Sequence, residues 1–153
     1  MPFDERGFAA DVRRIGDQMI NDAIGDLVRA AGGMALRGVV EKSPVDISRF
    51  KSHWQVVRSP GERAGVDPAG DKTIADGLGD LDALVAADPT APVAIVNPLP
   101  YAAALEHGHS KQAPSGMVAV TIAEVQAKHG LALCLMLISA IALSAQTTPS
   151  DRL

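Results

Sequence analysis

The chain has 153 residues, of which 47% are hydrophobic, 21% charged and only 3% aromatic, so it is long enough for one domain with a buried core. A formal net charge of -4 excludes a protein that grips nucleic acid through clustered Lys and Arg side chains. The single cysteine, Cys134, excludes an internal disulfide and cannot hold a zinc ion by itself. With so few aromatic side chains, small residues supply much of the packing, which favours closely approaching helices.

The first predicted element is a long amphipathic helix. Apolar residues recur at spacings of three and four, and charged residues follow the same spacing on another face. The apolar positions are Phe8, Val12, Ile15, Met19, Ala23, Leu27 and Ala31. Gly32 and Gly33 predict a kink or break, followed by a further turn or two through Val40, and Ser43-Pro44 predicts the end of the helix.

Short strands and a loop-rich stretch follow. Residues 50–58 (FKSHWQVVR) predict a β-strand, because β-branched and aromatic residues are concentrated there. Residues 59–91 are rich in Gly and Pro and predict mainly loop, with one short helix over 81–87 that Asp80 caps. A second strand is predicted over 92–96.

The last elements are helical or ambiguous. Residues 101–107 predict a brief helix closed by Gly108, and residues 117–128 fit either a strand or a helix. The elements together predict an α+β fold, in which a long amino-terminal amphipathic helix packs on a small, mainly antiparallel sheet and a second helix lies near the carboxy terminus. We expect residues 1–128 to form this single domain and residues 129–153 to be an apolar extension.

Two stretches have an unusual composition. Residues 62–88 are strongly acidic, but their spacing is not that of a calcium loop, so a solvated loop is favoured over an ion site. Residues 131–145 (LALCLMLISAIALSA) carry no charge, yet they are shorter than the roughly 20 residues that cross a bilayer. A helix buried in the protein or in an oligomer interface is therefore favoured, and a small membrane-associated protein stays an alternative.

Candidates for catalysis or metal binding are weak. The sequence GHSKQ at 108–112 begins like the GxSxG nucleophile elbow, but glutamine stands where the last glycine relieves crowding at the turn. Glu106, His107 and His109 offer ligands for a metal, and the sequence places no third histidine-type ligand beside them. No catalytic residue, metal or cofactor is predicted. An enzyme that uses these residues or Ser110 is the rival hypothesis.

Two segments of the sequence, taken together, carry the most specific motifs in the chain. The first is SPVDISRFKSHW at 43–54, and the second is NPLPYA at 97–102 followed by LEHGHSKQAPSGMV at 105–118. Over residues 8–126, their order and spacing resemble the neck and minor tail proteins of tailed phages, the tail-completion group that includes the lambda-type minor tail protein Z. We call these two segments the first and second motif segments.

Two features depart from the family pattern. Ile47 and Ser48 stand where the family has Thr-Gly, so the tight turn expected after Asp46 has to form without glycine. Beyond Lys128 the family has a charged amphipathic helix, whereas this chain becomes wholly apolar. The extension therefore lies outside the resemblance.

The resemblance implies a non-enzymatic structural virion protein, made in the bacterial host cytoplasm and located in the neck or upper tail. It would form a homo-oligomeric ring around the DNA channel, which we expect to be a hexamer, with a dodecamer as the alternative. Its partners would be the neighbouring head-tail connector or stopper and the tail proteins. The genome would pass through the lumen without sequence-specific binding, and no membrane is expected. A tail terminator of the same particle is the alternative within this family.

The motif segments also supply the candidate subunit-contact residues. They are Asp46, Arg49, Trp54, Tyr101, Glu106, Ser110, Lys111, Gln112 and Pro114. Asp46 is suited to accept backbone N–H bonds at a turn, and Trp54 to anchor the core or, as the second possibility, to contact a neighbour. Glu106 is available for a charge-assisted hydrogen bond beside Tyr101, and residues 111–114 predict an extended polar arm.

Overall fold

The computed structural model of the chain describes residues 5–44, 48–58 and 73–130. Within these ranges the fold combines helices with an antiparallel sheet, which confirms the predicted α+β class. In chain order the elements are α1 (Glu5–Lys42), α2 (Ser48–Lys51), β1 (Gln55–Val57), α3 (Ile74–Ala87), β2 (Ala94–Val96), α4 (Ala102–Glu106) and α5, which covers 118–130 and reaches the last described residue.

Helix α1 passes through Gly32 and Gly33 without interruption over 38 residues, so the predicted break is wrong. Both glycines lie against α3. A Cβ on Gly32 would come 3.1 Å from Leu81 Cδ2, and one on Gly33 would come 3.3 Å from Leu78 Cδ2. The close approach of the two helices offsets the low helix propensity of glycine, which costs about 1 kcal/mol per residue relative to alanine.

Helix α3 is longer than predicted. Its N-cap is Thr73 rather than Asp80: Thr73 Oγ1 accepts a bond from Asp76 N at 3.2 Å, and Asp76 Oδ2 accepts one from Thr73 N at 2.8 Å. This reciprocal capping box satisfies two N–H groups that the helix start would otherwise leave open. Gly77, which suggested a loop, faces α1 instead, where an added Cβ would lie 2.7 Å from Leu36 Cδ2.

The two strands form one antiparallel pair with the register Gln55↔Val96, Val56↔Ile95 and Val57↔Ala94. The strand predicted from residue 50 begins only at Gln55. Phe50 belongs to α2, and His53 N donates to Phe50 O at 3.4 Å, which turns the chain before the strand starts. The second predicted strand is confirmed over its last three residues.

Helix α5 settles the ambiguity over residues 117–128 in favour of a helix, and it packs antiparallel on the carboxy-terminal half of α1. Met117 Sδ lies 3.4 Å from Ser43 Oγ. One turn further along α5, Thr121 lies against Gly38, which precedes Ser43 by about one turn of α1. A Cβ on Gly38 would come 2.6 Å from Thr121 Cγ2. Such a separation is shorter than real Cβ contacts, so the helix crossing depends on glycine at this position.

Replacing Gly38 by alanine is expected to lower the free energy of unfolding by about 1–3 kcal/mol, because the new methyl group overlaps the Thr121 side chain. Gly79→Ala is the control. Gly79 is an exposed residue of α3 with nothing within 4 Å of an added Cβ, so alanine there should raise stability by about 1 kcal/mol. Urea denaturation followed by circular dichroism measures both. Effects of the same sign would contradict the close packing.

The core lies between α1, α3, α5 and the sheet. Its buried members are Leu36, Val39, Phe50, Trp54, Val56, Leu81, Val85, Leu99, Leu105 and Met117. The amino-terminal half of α1 lies outside this core: Phe8, Val12, Ile15 and Met19 expose 58%, 52%, 50% and 67% of their surface. The amphipathic pattern predicts a covered face along the whole helix, and the described elements cover only its second half.

Candidate subunit-contact surface

Part of the predicted surface lies outside the described residues. This holds for Asp46, for residues 62–72 of the acidic stretch and for the apolar run 131–145. Of Arg49 only the backbone is described, as part of α2. The structure therefore places Trp54, Tyr101, Glu106, Ser110, Lys111, Gln112 and Pro114.

Trp54 and Tyr101 pack around Phe50. The Trp54 ring meets Phe50 edge-on, with centroids 5.8 Å apart and an interplanar angle of 82°, and the Tyr101 ring lies 5.9 Å from Phe50. Trp54 Nε1–H donates to Ser43 Oγ at 2.9 Å, and Ser43 Oγ–H donates to Val39 O at 2.5 Å. Since Trp54 is only 7% exposed, it is a core anchor and offers almost no surface to a partner.

The side-chain amide of Asn97 joins the two motif segments through Nδ2, while Oδ1 makes a local bond. Nδ2 donates to Phe50 O at 2.9 Å, and Oδ1 accepts from Leu99 N at 3.2 Å. The contact of Phe50 with Tyr101 and the contact of Ser43 with Met117 also join the first motif segment to the second. Two stretches that are distant in sequence therefore form one structural unit.

Glu106, the last residue of α4, caps the start of α5. Its Oε2 accepts from Met117 N and Val118 N, and its Oε1 accepts from Ala119 N, each at 2.9 Å. These N–H groups belong to the helix start, where no intrahelical acceptor exists, and the carboxylate also complements the positive end of the helix dipole. The hydrogen-bonding capacity predicted for Glu106 is thus used within the chain.

Two glycines shape the backbone around this cap. Gly116 has a φ of +75°, and a Cβ there would lie 2.5 Å from Glu106 Oε1 and 2.6 Å from Glu106 O. Gly108, just after α4, has a φ of +83°, and a Cβ there would lie 3.1 Å from Pro114 O. Side chains other than that of glycine are strained in this left-handed region. The positive φ angles therefore account for both glycines of LEHGHSKQAPSGMV, and the cap adds a steric requirement at Gly116.

The cap shifts the titration of Glu106. Burial raises the pKa of the carboxyl, but the N–H bonds from Val118, Ala119 and Met117 lower it more, and His107 adds to the lowering. The net pKa lies below the ordinary value of 4.5. The ionised carboxylate therefore stabilises the fold fully above that ordinary value, and the stabilisation is lost as the pH falls through the lower pKa of the folded state.

Glu106→Gln is expected to cost about 1–2 kcal/mol of stability near neutral pH, since the amide lacks the charge and has only one accepting atom. Below the ordinary pKa of 4.5 the difference from the wild type should shrink, because the wild-type carboxyl becomes protonated. Denaturant titrations of both proteins across this range measure it. The pKa of Asp88 is also lowered, chiefly by the Thr90 hydroxyl, and this contribution cancels in the comparison. A difference independent of pH would contradict the capping role.

Residues 107–115 leave α4 as consecutive tight turns rather than as the predicted extended arm. Ala113 N donates to Ser110 O at 3.3 Å, Gly116 N donates to Ala113 O at 3.1 Å, and Gln112 N donates to Ser110 Oγ at 3.2 Å. Ala113 is 5% exposed and anchors the turns on the body of the protein. The short-range bonds replace the extended conformation that Pro114 suggested. We call residues 107–115 the turn surface.

The turn surface presents three of the predicted contact residues to solvent. Lys111, Gln112 and Pro114 are exposed, and Ser110 is half-buried. A separate groove of about 510 Å³ is lined by residues that include Asn97 to Pro100, Glu106 and Val118. The cap and the buried Ala113 fix the backbone that carries these polar groups.

Three residues of the rival enzyme hypothesis have local structural partners. His109 Nδ1 lies 2.9 Å from Ala104 O, the Ser110 hydroxyl accepts from Gln112 N, and Glu106 caps α5. Within the described ranges, no group of three His, Cys, Asp or Glu residues is placed to hold a metal ion.

The acidic stretch is helical over Ile74–Ala87, so the helix predicted over 81–87 is confirmed and the loop predicted over 74–80 is wrong. Asp82 Oδ1 lies 3.3 Å from Arg29 Nε on α1. Asp88 Oδ1 accepts bonds from the backbone N and the hydroxyl of Thr90. The missed signal was the Thr73 to Asp76 capping box, which precedes an apolar run.

Ser43, Asn97 and Gly116 hold the unit together and were not among the predicted site residues. Ser43 and Asn97 each precede a proline, and such a residue favours an extended or turn conformation, which was the available signal. Their hydrogen-bond partners lie far away in sequence and could not be inferred.

Comparison of the chain with protein-family models, with curated proteins and with solved structures gives no significant match. None of the described helices combines the length and the apolar character that crossing a membrane requires.

Proposed function

We propose that this chain is a non-enzymatic structural protein of a tailed phage or phage-like particle, where it forms a ring at the head-tail junction or in the upper tail. The observation that carries the proposal is the meeting of the two motif segments: Asn97 and Met117 of the second lie on Phe50 and Ser43 of the first. In this unit the family-like residues hold the turn surface in place.

A closed ring requires each subunit to use two different faces, one against the preceding copy and one against the next. The turn surface supplies one such face. Its backbone is fixed by the buried Ala113 and by the Glu106 cap, so little conformational freedom is lost when it docks. Lys111 places a cation there in a chain whose net charge is -4, which suits an acidic or carbonyl-rich face on the neighbour.

The charge balance also fits a protein that surrounds DNA without holding it. A protein that grips phosphates releases counterions through many Lys and Arg contacts, and a net charge of -4 opposes such binding. The acidic stretch 62–88 is the candidate lining of the channel. Among its described members, Asp82 remains largely exposed, with 66% of its side chain accessible, although it pairs with Arg29.

Assembly in vitro tests the proposal. Extracts of the particle-producing cells that lack this protein should contain filled heads and separate tails, and the purified chain should restore joined particles, counted by electron microscopy. Image averaging should then place a ring of subunits at the junction or upper tail. Joined particles of normal number in the absence of the chain would refute the function.

A pair of charge reversals tests the contact face. Lys111→Glu on the turn surface is expected to reduce the number of joined particles while leaving the unfolding midpoint unchanged. Lys128→Glu is the matched control, because Lys128 is equally an exposed cation but lies on α5, away from the turn surface. Equal effects of the two variants would remove the turn surface from the interface.

A further inference from the structure

The amino-terminal half of α1 carries an apolar ridge. Val12, Ile15 and Met19 each expose at least half of their surface. Their spacing of three and four residues places them on one face of the helix, which is the pattern of a helix that binds in a groove. Exposed apolar surface of this kind marks a contact site in soluble proteins. We call these three residues the arm ridge.

An uncharged groove lies along residues 24–39 of the same helix. It has a volume of about 550 Å³ and is bounded by α1, α5 and residues 89–95. Half-buried Val28, Ala31 and Ala35 of α1 line it, together with Ile122 of α5, which exposes 49% of its surface. None of the described residues that line this groove carries a charge, so it suits an apolar occupant. We call it the α1–α5 groove.

The arm ridge and the α1–α5 groove lie on opposite sides of α1. Val28 follows Met19 by nine residues, which is about two and a half helical turns. Ala31 follows Ile15 by 16 residues, which is about four and a half turns. Because α1 is uninterrupted over 38 residues, the arm ridge cannot bend back into the groove of its own chain. The ridge of one chain can therefore enter only the groove of another.

We propose that the arm ridge of one copy packs into the α1–α5 groove of the next copy. Every copy carries both surfaces, and a ring needs two different faces on each subunit. The groove residues of α1 include Ala31, Gly32 and Ala35, whose small size lets the entering helix approach closely. The contact removes both apolar surfaces from water. The inference rests on the proposed ring, to which it adds a subunit contact besides the turn surface.

Disulfide formation between two single-cysteine proteins tests this contact. Both proteins carry Cys134→Ala; the first carries Met19→Cys, and the second carries Ile122→Cys and a carboxy-terminal tag that separates the two on a gel. Co-expressed, purified and mildly oxidised, they should give a mixed disulfide dimer. Each protein alone should stay monomeric on a non-reducing gel. Val12→Cys and Ile15→Cys replace Met19→Cys in parallel, so that the whole ridge is sampled.

Asp17→Cys is the matched control for the ridge positions. Asp17 is exposed and lies between Ile15 and Met19 in sequence, but its side chain points about 160° away from both around the helix axis. It should form no mixed dimer with Ile122→Cys. A dimer of Met19→Cys with itself would pair ridge with ridge and overturn the proposal. The absence of a mixed dimer at all three ridge positions would overturn it as well.

A charge placed on the ridge gives a second readout. Ile15→Asp should abolish the mixed dimer of Met19→Cys with Ile122→Cys and shift the sedimenting species from multimer to monomer. The unfolding midpoint should stay unchanged, because Ile15 lies outside the core. Ala10→Asp is the control, since Ala10 is exposed about 160° around the helix from Val12, and it should leave the dimer and the multimer intact. Equal losses in the two variants would contradict a contact through the ridge.

The contact and the proposed function fail separately. If no mixed dimer forms but extracts still need the chain to join heads to tails, the contact is wrong and the proposed function stands. If the mixed dimer forms but joined particles appear in normal number without the chain, the function is wrong and the contact stands.

Discussion

Replacing Trp54 by alanine is expected to lower the free energy of unfolding by about 3–5 kcal/mol, because a large buried ring is removed from the centre of the motif unit. Trp54 is 7% exposed and packs edge-on against Phe50. The substitution also leaves the Ser43 hydroxyl without its indole donor. Equilibrium denaturation measures the loss. A cost below about 1 kcal/mol, the usual range for surface substitutions, would contradict the core position of Trp54.

Trp54→Phe separates packing from hydrogen bonding. Phenylalanine keeps an aromatic ring beside Phe50 but cannot donate to Ser43 Oγ, so we expect a cost of about 1–2 kcal/mol. Adding Ser43→Ala to this variant should cost less than Ser43→Ala in the wild type, because the bond between the two side chains is already lost. Full additivity would contradict the indole–hydroxyl bond.

Gly116→Ala is expected to cost about 3 kcal/mol or more, because two effects combine at one residue. A side chain at a φ of +75° is strained by about 1–2 kcal/mol. Its Cβ would also lie 2.5 Å from Glu106 Oε1, so the carboxylate has to move and the cap of α5 is weakened, at about 1–2 kcal/mol. Thermal unfolding followed by circular dichroism measures the sum.

Gly108→Ala is the matched control for backbone strain. Gly108 has a similar φ of +83°, but an added Cβ would meet only Pro114 O at 3.1 Å and would not touch the cap. It should therefore cost less than Gly116→Ala. In the Glu106→Ala background the cost of Gly116→Ala should fall, since the carboxylate that it displaces is absent. An unchanged cost in that background would mean that the overlap with the Glu106 carboxylate is unimportant, since the overlap with Glu106 O remains there.

The sequence predicted the bounds of helices well where residues within or next to the helix determine them. The spacing of apolar residues identified α1, and the stop at Ser43-Pro44 agrees with its last residue, Lys42. Gly108 marked the end of α4, because an αL glycine commonly follows a helix. The breaks predicted at Gly32 and around Gly77 failed, since these glycines are used for contact between helices, and glycine propensity carries no information about a distant neighbour.

The candidate site was predicted less completely for the same reason. Glu106 was identified as an acceptor, but its donors lie 11 to 13 residues later, after a chain reversal that the sequence did not reveal. The role of Asn97 depends on Phe50, which is 47 positions away. Tertiary partners of this kind decide which polar residues are used inside the fold. Without them, the sequence does not show which polar residues remain exposed on the turn surface.

The contact of Gly38 with Thr121 constrains how the sequence can drift. The Thr121 hydroxyl is buried and has no hydrogen-bond partner among the described residues, so its loss removes little polar stabilisation. A smaller residue at 121 would vacate the space that a methyl group at 38 needs. Substitutions at these two positions should therefore occur as a pair, with the smaller residue at 121 appearing before the larger residue at 38. In the reverse order, the single variant with the larger residue at 38 should fold poorly.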